Sequence, residues 1–208
     1  MDTSSGYKDR ALSSLNGNWG NGAIACLVTY LIMLAPSYGI VAVIPGDPIW
    51  GNLSNLWSIA MLPLAWGLAI FFLTIARGQK TDIGQLFDGF KDYWHIFATM
   101  FLRQIFTFLW TLLFIVPGII KYYSYSMTDY ILKDEPEVGA NEAIEKSMKM
   151  MEGHKMDLFL LHLSFIGWAI LAMCTLGLGF LLLIPYVCTA EAHFYEDLKA
   201  ERLVKEEY

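Results

Sequence analysis

The sequence is short of charged residues, of cysteine and of positive charge. Only 16% of its 208 residues are charged, whereas a soluble domain carries about 25%. The formal net charge of −6 excludes a general affinity for nucleic acid or anionic lipid. The three cysteines, Cys26, Cys174 and Cys188, lie in apolar runs without metal-ligand spacing, which favours packed side chains in helices. With 56% apolar residues, the chain is expected to have the lipid bilayer as its main solvent.

Motifs for catalysis and for cofactor binding are also lacking. The sequence has no Gly-rich phosphate loop and no His-Glu-x-x-His motif. His162 and Ser164 are two residues apart and cannot face each other on one helix, which disfavours a Ser-His dyad. The same spacing disfavours Glu191 and His193 as a pair of metal ligands. We therefore expect a non-enzymatic protein without a cofactor or a resident metal.

The sequence does contain long runs without any Asp, Glu, Lys or Arg. The longest covers the thirty-three residues 158–190, which as one helix would be about 50 Å long, against a hydrocarbon core of roughly 30 Å. Gly177-Leu178-Gly179 is therefore predicted to turn a hairpin within it. The sequence predicts six membrane spans, at about 22–44, 53–76, 94–116, 119–132, 158–175 and 180–198.

The fourth of these segments is short and polar. Val116-Pro117-Gly118 reads as the turn before it, and 119–132 contains Lys121, Asp129 and four tyrosines. We interpret it as a span shielded from lipid by its neighbours.

Three polar segments with helical apolar stripes, 8–20, 79–93 and 139–153, separate the spans. The last is the clearest, because Pro136 and Gly139 precede it and Gly153 follows it. Its apolar positions are spaced i, i+3, i+4, i+7, i+8 and i+11, at Ala140, Ala143, Ile144, Ser147, Met148 and Met151. We predict that all three are amphipathic helices on the cytoplasmic surface.

The basic residues predict the orientation of the chain. Twelve of the 14 Lys and Arg residues fall in 1–21, 77–93, 133–157 and 199–208, and none falls in 45–52 or 176–179. Six crossings place every basic segment on one side, which the positive-inside rule makes the cytoplasm. The predicted fold class is therefore an all-α polytopic helical bundle with both termini in the cytoplasm.

The three amphipathic segments also resemble one another. Leu12, Leu15 and Trp19 match Phe87, Phe90 and Trp94 at a constant offset of 75 residues. Ile144, Ser147 and Met151 match less well, at an offset of 132. One interpretation is a threefold repeat of surface helix and hairpin, and the other is that unrelated cytoplasmic helices share this spacing.

Several linked motifs resemble one family. These are PGIIKYYSYSMTDYILKDEP, AIEKSMKMMEGHKMDLF, LSFIGW, the pair Pro185-Tyr186 and FYEDL. Together they resemble the bacterial integral-membrane family known as domain of unknown function 975. The resemblance implies a multi-pass protein of the bacterial inner membrane and supplies no catalytic residues. The Pro-Gly turn and the A-I-x-x-S helix are also similar, more loosely, to the membrane domain of some glycerophosphodiesterases, whose catalytic residues this chain does not have.

The ionisable residues inside the predicted spans form a candidate buried polar cluster of Arg103, Asp129, Glu191, Lys121 and His162. Arg103 lies about 14 Å from the cytoplasmic end of its span, a depth at which a cation normally has a partner. Glu191 lies at a similar depth, so we predict an Arg103–Glu191 ion pair, with Asp129 as the rival acceptor and snorkelling as the alternative. Lys121 is interpreted as reaching the outer headgroups.

Two functions fit these patterns. The polar residues within the spans favour transport of, or protection against, a small amphipathic compound. The cytoplasmic amphipathic helices favour instead a structural or regulatory protein that recruits a protein partner. The expected surroundings are the lipid bilayer in both cases.

Overall fold

The computed structural model describes residues 2–41, 55–175 and 177–206, and the regular secondary structure in these ranges is all helical. The predicted all-α class is thereby confirmed, while the predicted connection at 45–52 lies outside the described residues. In chain order the helices are α1 (Ser4–Leu15), α2 (Trp19–Val41), α3 (Leu62–Ala76), a 3₁₀ helix (Ile83–Phe90), α4 (Tyr93–Leu113), α5 (Ile115–Ser124), α6 (Thr128–Asp134), α7 (Ala140–Met150), α8 (Lys155–Leu163), α9 (Ile166–Cys174) and α10 (Phe180–Glu206).

Helix α10 is the element against which the others pack. It contacts α1, α2, α3, α7, α8 and α9. Its buried residues point in several directions, because successive residues are about 100° apart around a helix. They include Ala190, Ala192, Phe194, Tyr195 and Leu198. A helix on a surface would bury a single stripe. The centre of the bundle therefore lies along the C-terminal half of α10.

Helix α1 packs across α10. It buries Tyr7, Ala11 and Leu15, which lie four residues apart on one face. The Tyr7 ring lies 5.3 Å from the ring of Phe194. Leu12, which the sequence placed in the apolar stripe, is 43% exposed, whereas the neighbouring Ala11 is fully buried. The face of α1 that carries Tyr7, Ala11 and Leu15 is thus covered by the protein itself.

The predicted surface helix within 79–93 is a 3₁₀ helix packed on α3. A Cβ added at Gly67 of α3 would lie 2.1 Å from the Leu86 carbonyl oxygen, and one at Gly89 would lie 2.4 Å from the Pro63 carbonyl oxygen. Neither position can therefore accept a side chain without movement of the backbone. These glycines allow the two backbones to touch, so Leu86 is buried against α3.

The chain turns between α4 and α5 earlier than the sequence predicted. Phe114 is extended, with φ −155° and ψ 137°, and α5 begins at Ile115. Pro117 and Gly118 therefore lie in the first turn of α5, so the prediction that they form the turn is wrong. Proline is tolerated there because the first N–H groups of a helix have no intrahelical acceptor. Gly118 is required for a different reason, since a Cβ on it would lie 2.3 Å from Thr111 Oγ1.

The predicted span 119–132 is interrupted. Helix α5 ends at Ser124 and α6 begins at Thr128. Ser147 of α7 spans the interruption: its Oγ accepts a hydrogen bond from the Met127 N–H at 3.1 Å and donates one to the Ser124 carbonyl at 2.8 Å. Ser147 is fully buried, so it supplies partners that water cannot supply to this interruption.

Helix α7 thus packs into the bundle, against α4 and α6. Ala143, Ile144 and Ser147 are buried, as is Met151 directly after the helix. The other face carries exposed charged residues such as Glu145. The apolar stripe of 139–153 is therefore a packing surface for the protein's own helices.

A second interruption divides α8 from α9, at Ser164 and Phe165. Lys8 of α1 donates a hydrogen bond from Nζ to the Ser164 carbonyl at 2.9 Å, and the same Nζ lies 4.8 Å from the centre of the Phe165 ring. The N-terminal helix thus caps a break in the predicted span 158–175. After this span, the chain reverses over 177–179 as predicted, where Gly177 has φ +86°.

Two helical stretches in the described residues have the length and composition of membrane spans, Tyr93–Leu113 and Lys155–Cys174. Only 17% and 22% of their apolar windows are buried, unlike the core helices of a soluble protein. Large apolar side chains face outward on both, including Phe108, Leu112, Trp168 and Leu171. An apolar surface of this extent is unfavourable in water, which indicates association with a membrane.

The other predicted spans are not established in the same way. Leu62–Ala76 is apolar but shorter, since fifteen residues reach only about 22 Å. In α2, the stretch identified as apolar is Trp19–Leu34. The pair α5–α6 is interrupted, and α10 carries Glu191, Glu196 and Asp197. The bundle of six spans remains a prediction.

The threefold repeat also remains a prediction. Two of the three segments form α-helices and the middle one forms a 3₁₀ helix. The matched positions differ in burial: Phe87 is 45% exposed and Trp94 76% exposed, whereas Ile144 and Met151 are buried.

Candidate functional site

A polar cavity of about 140 Å³ lies among α4, α5, α6, α8 and α10. Four of the five residues in the predicted buried cluster line it, on four different helices. Neutral polar and aromatic side chains complete the wall. The lining residues of this polar cavity are Arg103, Gln104, Thr107, Tyr122, Tyr125, Ser126, Asp129, His162 and Glu191.

Arg103 pairs with Asp129 in this cavity. Arg103 Nη1 lies 2.7 Å from Asp129 Oδ1, and the two side chains are 20% and 15% exposed. Trp66 supports the same residue, since its Nε1 donates to the Asp129 carbonyl at 2.9 Å. The predicted partner, Glu191, is bonded elsewhere. The interruption before α6 permits this pairing, because it places Asp129 in the first turn of a new helix, within reach of Arg103 on α4.

His162 connects α5 to α10. Its Nε2 lies 2.5 Å from Glu191 Oε1, and its Nδ1 lies 3.2 Å from the Tyr123 hydroxyl. A carboxylate can only accept, so Nε2 carries a hydrogen when Glu191 is ionised. His162 and Glu191 are 23% and 28% exposed. The pair therefore holds an exchangeable proton beside the Arg103–Asp129 pair.

Lys121 lies away from the lining of the cavity. Its Nζ is 3.7 Å from Met148 Sδ and 5.1 Å from the centre of the Trp110 ring. Met148 belongs to α7, which follows the interruption after α5 in the chain. The contact between Lys121 and Met148 could not be predicted from the sequence, because it depends on how α7 packs. The interpretation that Lys121 reaches the outer headgroups stays a prediction.

A second charged cluster, which we call the Asp134 cluster, was missed in the sequence. Asp134 Oδ2 accepts hydrogen bonds from Arg77 at 2.8 Å, Tyr195 at 2.8 Å and Lys199 at 2.6 Å. Arg77 also donates to Glu196 at 2.8 Å. The cluster ties the ends of α3 and α6 to α10. The spacing of Tyr195 and Lys199, four residues apart on one helix face, was the available signal.

Burial and hydrogen bonding shift the pKa of Asp134 in opposite directions. Burial alone would raise its pKa, but the hydrogen bonds from Arg77, Lys199 and Tyr195 outweigh burial and hold the pKa at about 2. Asp134 is therefore ionised at any physiological pH and acts as a fixed structural acceptor.

A serine and a histidine do meet in the structure, although not the pair considered in the sequence. Ser14 Oγ lies 2.8 Å from His193 Nε2, and His193 Nδ1 lies 3.4 Å from a guanidinium nitrogen of Arg10. Because arginine can only donate, Nδ1 accepts and Nε2 carries the hydrogen. His193 then donates to Ser14 and cannot remove its proton, so this pair lacks the tautomer that a serine hydrolase needs. Arg10 is held in place by Asp197, at 2.8 Å.

Metal binding finds no support in the described residues, where no group of three or more His, Cys, Asp or Glu side chains is placed to hold an ion. The cysteines Cys26, Cys174 and Cys188 are free thiols. The side chains that line the polar cavity are suited to charge pairing, proton exchange and aromatic contact.

The comparison with known families gives one match. Residues 115–202 match a family described as a protein of unknown function, DUF975. The matched region runs from α5 into α10 and so contains Asp129, His162 and Glu191 of the polar cavity, while Arg103 precedes it. No curated protein and no solved structure matches the chain.

Proposed function

We propose, on the premise that the chain belongs to the DUF975 family through residues 115–202, that it is a non-enzymatic, multi-pass protein of a bacterial inner membrane. Its proposed role is to transport, or to protect the cell against, a small amphipathic compound. The proposed topology has six crossings and cytoplasmic termini, with the lipid bilayer as its surroundings.

The membrane location is supported by surface and charge together. The outward apolar side chains of α4, α8 and α9 need a lipid solvent. The twelve basic residues outside the spans fall in segments that six crossings would place on one side. A bundle with an even number of crossings satisfies both observations.

The observation that carries the functional proposal is the polar cavity. Ionisable groups are costly within a membrane and commonly mark the route of a solute or a proton. Here four of them line one space between helices, and one wall of that space, the stretch α5–α6, is interrupted. Interrupted helices at a central site are typical of transporters, because the interruption frees backbone groups and allows local movement.

The alternative, recruitment of a protein partner through the amphipathic helices, has less support. The apolar faces of these segments pack on the protein's own helices, as Leu15, Leu86 and Ile144 illustrate. A partner would have to use the polar faces or isolated exposed residues such as Phe87. Loss of co-purified partners on charging Ile144 and Met148, in a protein that still folds, would favour this alternative.

A deletion strain tests the proposal. The strain is screened against membrane-active compounds and complemented with wild type, Arg103→Ala or Lys91→Ala. Lys91 is a matched cation outside the cavity, with an 80% exposed side chain. We expect wild type and Lys91→Ala to restore resistance, and Arg103→Ala to fail at equal abundance in the membrane. Full complementation by Arg103→Ala would exclude the cavity from the function.

A further inference from the structure

The ionisable groups of the polar cavity do not balance. Arg103 offsets Asp129, with which it forms an ion pair at 2.7 Å. Glu191 has no such cation, because its partner His162 is charged only when protonated. With both carboxylates ionised, the lining is neutral when His162 carries a second proton and has one excess negative charge when it does not. An uncompensated charge away from bulk water is unfavourable.

The titratable and charged groups that face His162 and Glu191 do not remove this imbalance. They are Arg103 from α4, Tyr122 and Tyr123 from α5, Asp129 and Tyr130 from α6, and Cys188 on α10. The tyrosines and the cysteine are neutral near pH 7. Lys121 points to α7 and Trp110, outside the lining. The imbalance can therefore be removed by a proton or by a cation from outside.

The aromatic side chains in the lining of the cavity favour an organic cation. Tyr122 and Tyr125 line the cavity, and the face of a tyrosine ring attracts a cation, most strongly where water is excluded. A strongly hydrated metal ion would need several oxygen ligands at fixed distances, and no group of three or more candidate ligands is so placed among the described residues. A volume of about 140 Å³ limits the occupant to a small molecule.

We propose that the polar cavity binds a small monovalent organic cation, of the protonated or quaternary amine class, in competition with a proton on the His162–Glu191 pair. This proposal rests on the proposed function and names the class of its substrate. When the cation enters beside Glu191, the pair releases one proton to water. When the pair takes the proton back, the cation leaves. Each state of the cavity is neutral, so one cation exchanges for one proton.

Binding of tetramethylammonium to the purified full-length protein in detergent is the test, because this small cation cannot lose its charge. Calorimetry at several pH values between 5.5 and 8.5 gives the affinity, and an indicator dye in weak buffer gives proton release. We expect the affinity to rise as the pH is raised from 5.5 to 8.5, by at most about tenfold per pH unit, with close to one proton released per cation at the low end of the range. An affinity that is the same at pH 5.5 and 8.5 overturns the proposal.

Three variants test which residues bind the cation and release the proton. Glu191→Gln should lose cation binding and proton release, whereas His162→Gln should bind the cation with an affinity that no longer changes between pH 6.5 and 8.5. Glu145→Gln, which removes an exposed carboxylate on α7, should behave as wild type. Unfolding temperature and gel filtration confirm that each variant is folded. Unchanged binding by folded Glu191→Gln overturns the proposal.

Benzyl alcohol, an uncharged aromatic probe, separates this proposal from the function on which it rests. Arg103-dependent binding of benzyl alcohol without binding of the cation would overturn the cation proposal and leave the proposed function standing. Binding of neither probe would count against both. Proton-coupled cation binding together with a deletion strain that shows no sensitivity would support the site and contradict the function.

Discussion

The position of Arg103 in the sequence predicted that it has a buried ion-pair partner but did not identify that partner. Its position within an apolar run predicted a buried partner, and depth alone favoured Glu191. The structure gives it Asp129, because the interruption at Tyr125–Met127 reorients the chain that carries this carboxylate. Depth along a helix can be read from sequence, whereas the direction in which an interrupted helix resumes depends on packing.

Double-mutant stability measurements distinguish the two partners. Removing one member of a buried pair commonly costs about 3–5 kcal/mol, because the remaining charge is left unpaired. We expect Arg103→Leu and Asp129→Leu each to lower thermal stability in detergent, and the double variant to lose much less than their sum. Arg103→Leu with Glu191→Leu should be closer to additive. Additive losses for Arg103 and Asp129 would contradict the pairing.

Asp134 predicts an acid-sensitive contribution to stability. Its folded pKa of about 2 lies below the ordinary value, so its stabilising effect is fully present above about pH 4 and is lost as the pH falls towards 2. A shift of this size corresponds to roughly 2 kcal/mol. We expect Asp134→Asn to be less stable than wild type at pH 7 and to approach it near pH 2, in unfolding experiments in detergent. A constant difference across this range would contradict the assignment, and Glu145→Gln is the control.

At the scale of the elements, local patterns predicted helices better than they predicted the ends of helices. Charge-free runs and helical spacing identified most of the helical stretches. Pro117 and Gly118 were interpreted as a turn because that dipeptide usually ends a helix, but proline is equally tolerated in the first turn. The interruptions at Tyr125–Met127 and Ser164–Phe165 could not be predicted from a local sequence motif. Their hydrogen-bond partners, Ser147 and Lys8, come from distant parts of the chain.

Ser147 is therefore expected to stabilise the interruption between α5 and α6. Ser147→Ala leaves the Met127 N–H and the Ser124 carbonyl without this partner, and a buried unsatisfied group costs about 1–3 kcal/mol. We expect a clear loss of thermal stability and faster amide exchange at Met127. Lys149→Ala, on the exposed face of the same helix, should change neither quantity. Equal effects of the two variants would show that Ser147 does not act through these bonds.

At the scale of the whole molecule, the solvent of the chain was predicted more readily than the tertiary structure, and the sidedness stays a prediction. The deficit of charge indicated lipid, and the outward apolar side chains of α4, α8 and α9 agree with it. The central position of α10 and the Asp134 cluster were not predictable, because they depend on which helices meet. The same holds for the neighbours of α1 and α7, which were predicted as amphipathic helices on the cytoplasmic surface and whose buried residues pack against other helices of the bundle.

The central claim, a bundle that crosses the membrane with its basic segments on one side, is tested most directly by cysteine labelling. Single cysteines are introduced at Leu178, in the hairpin before α10, and at Glu145, on α7, after replacement of Cys26, Cys174 and Cys188. An impermeant maleimide is applied to intact spheroplasts and, separately, to permeabilised ones. The account predicts that Leu178→Cys is labelled in both and Glu145→Cys only after permeabilisation. Labelling of Glu145→Cys in intact spheroplasts would contradict it.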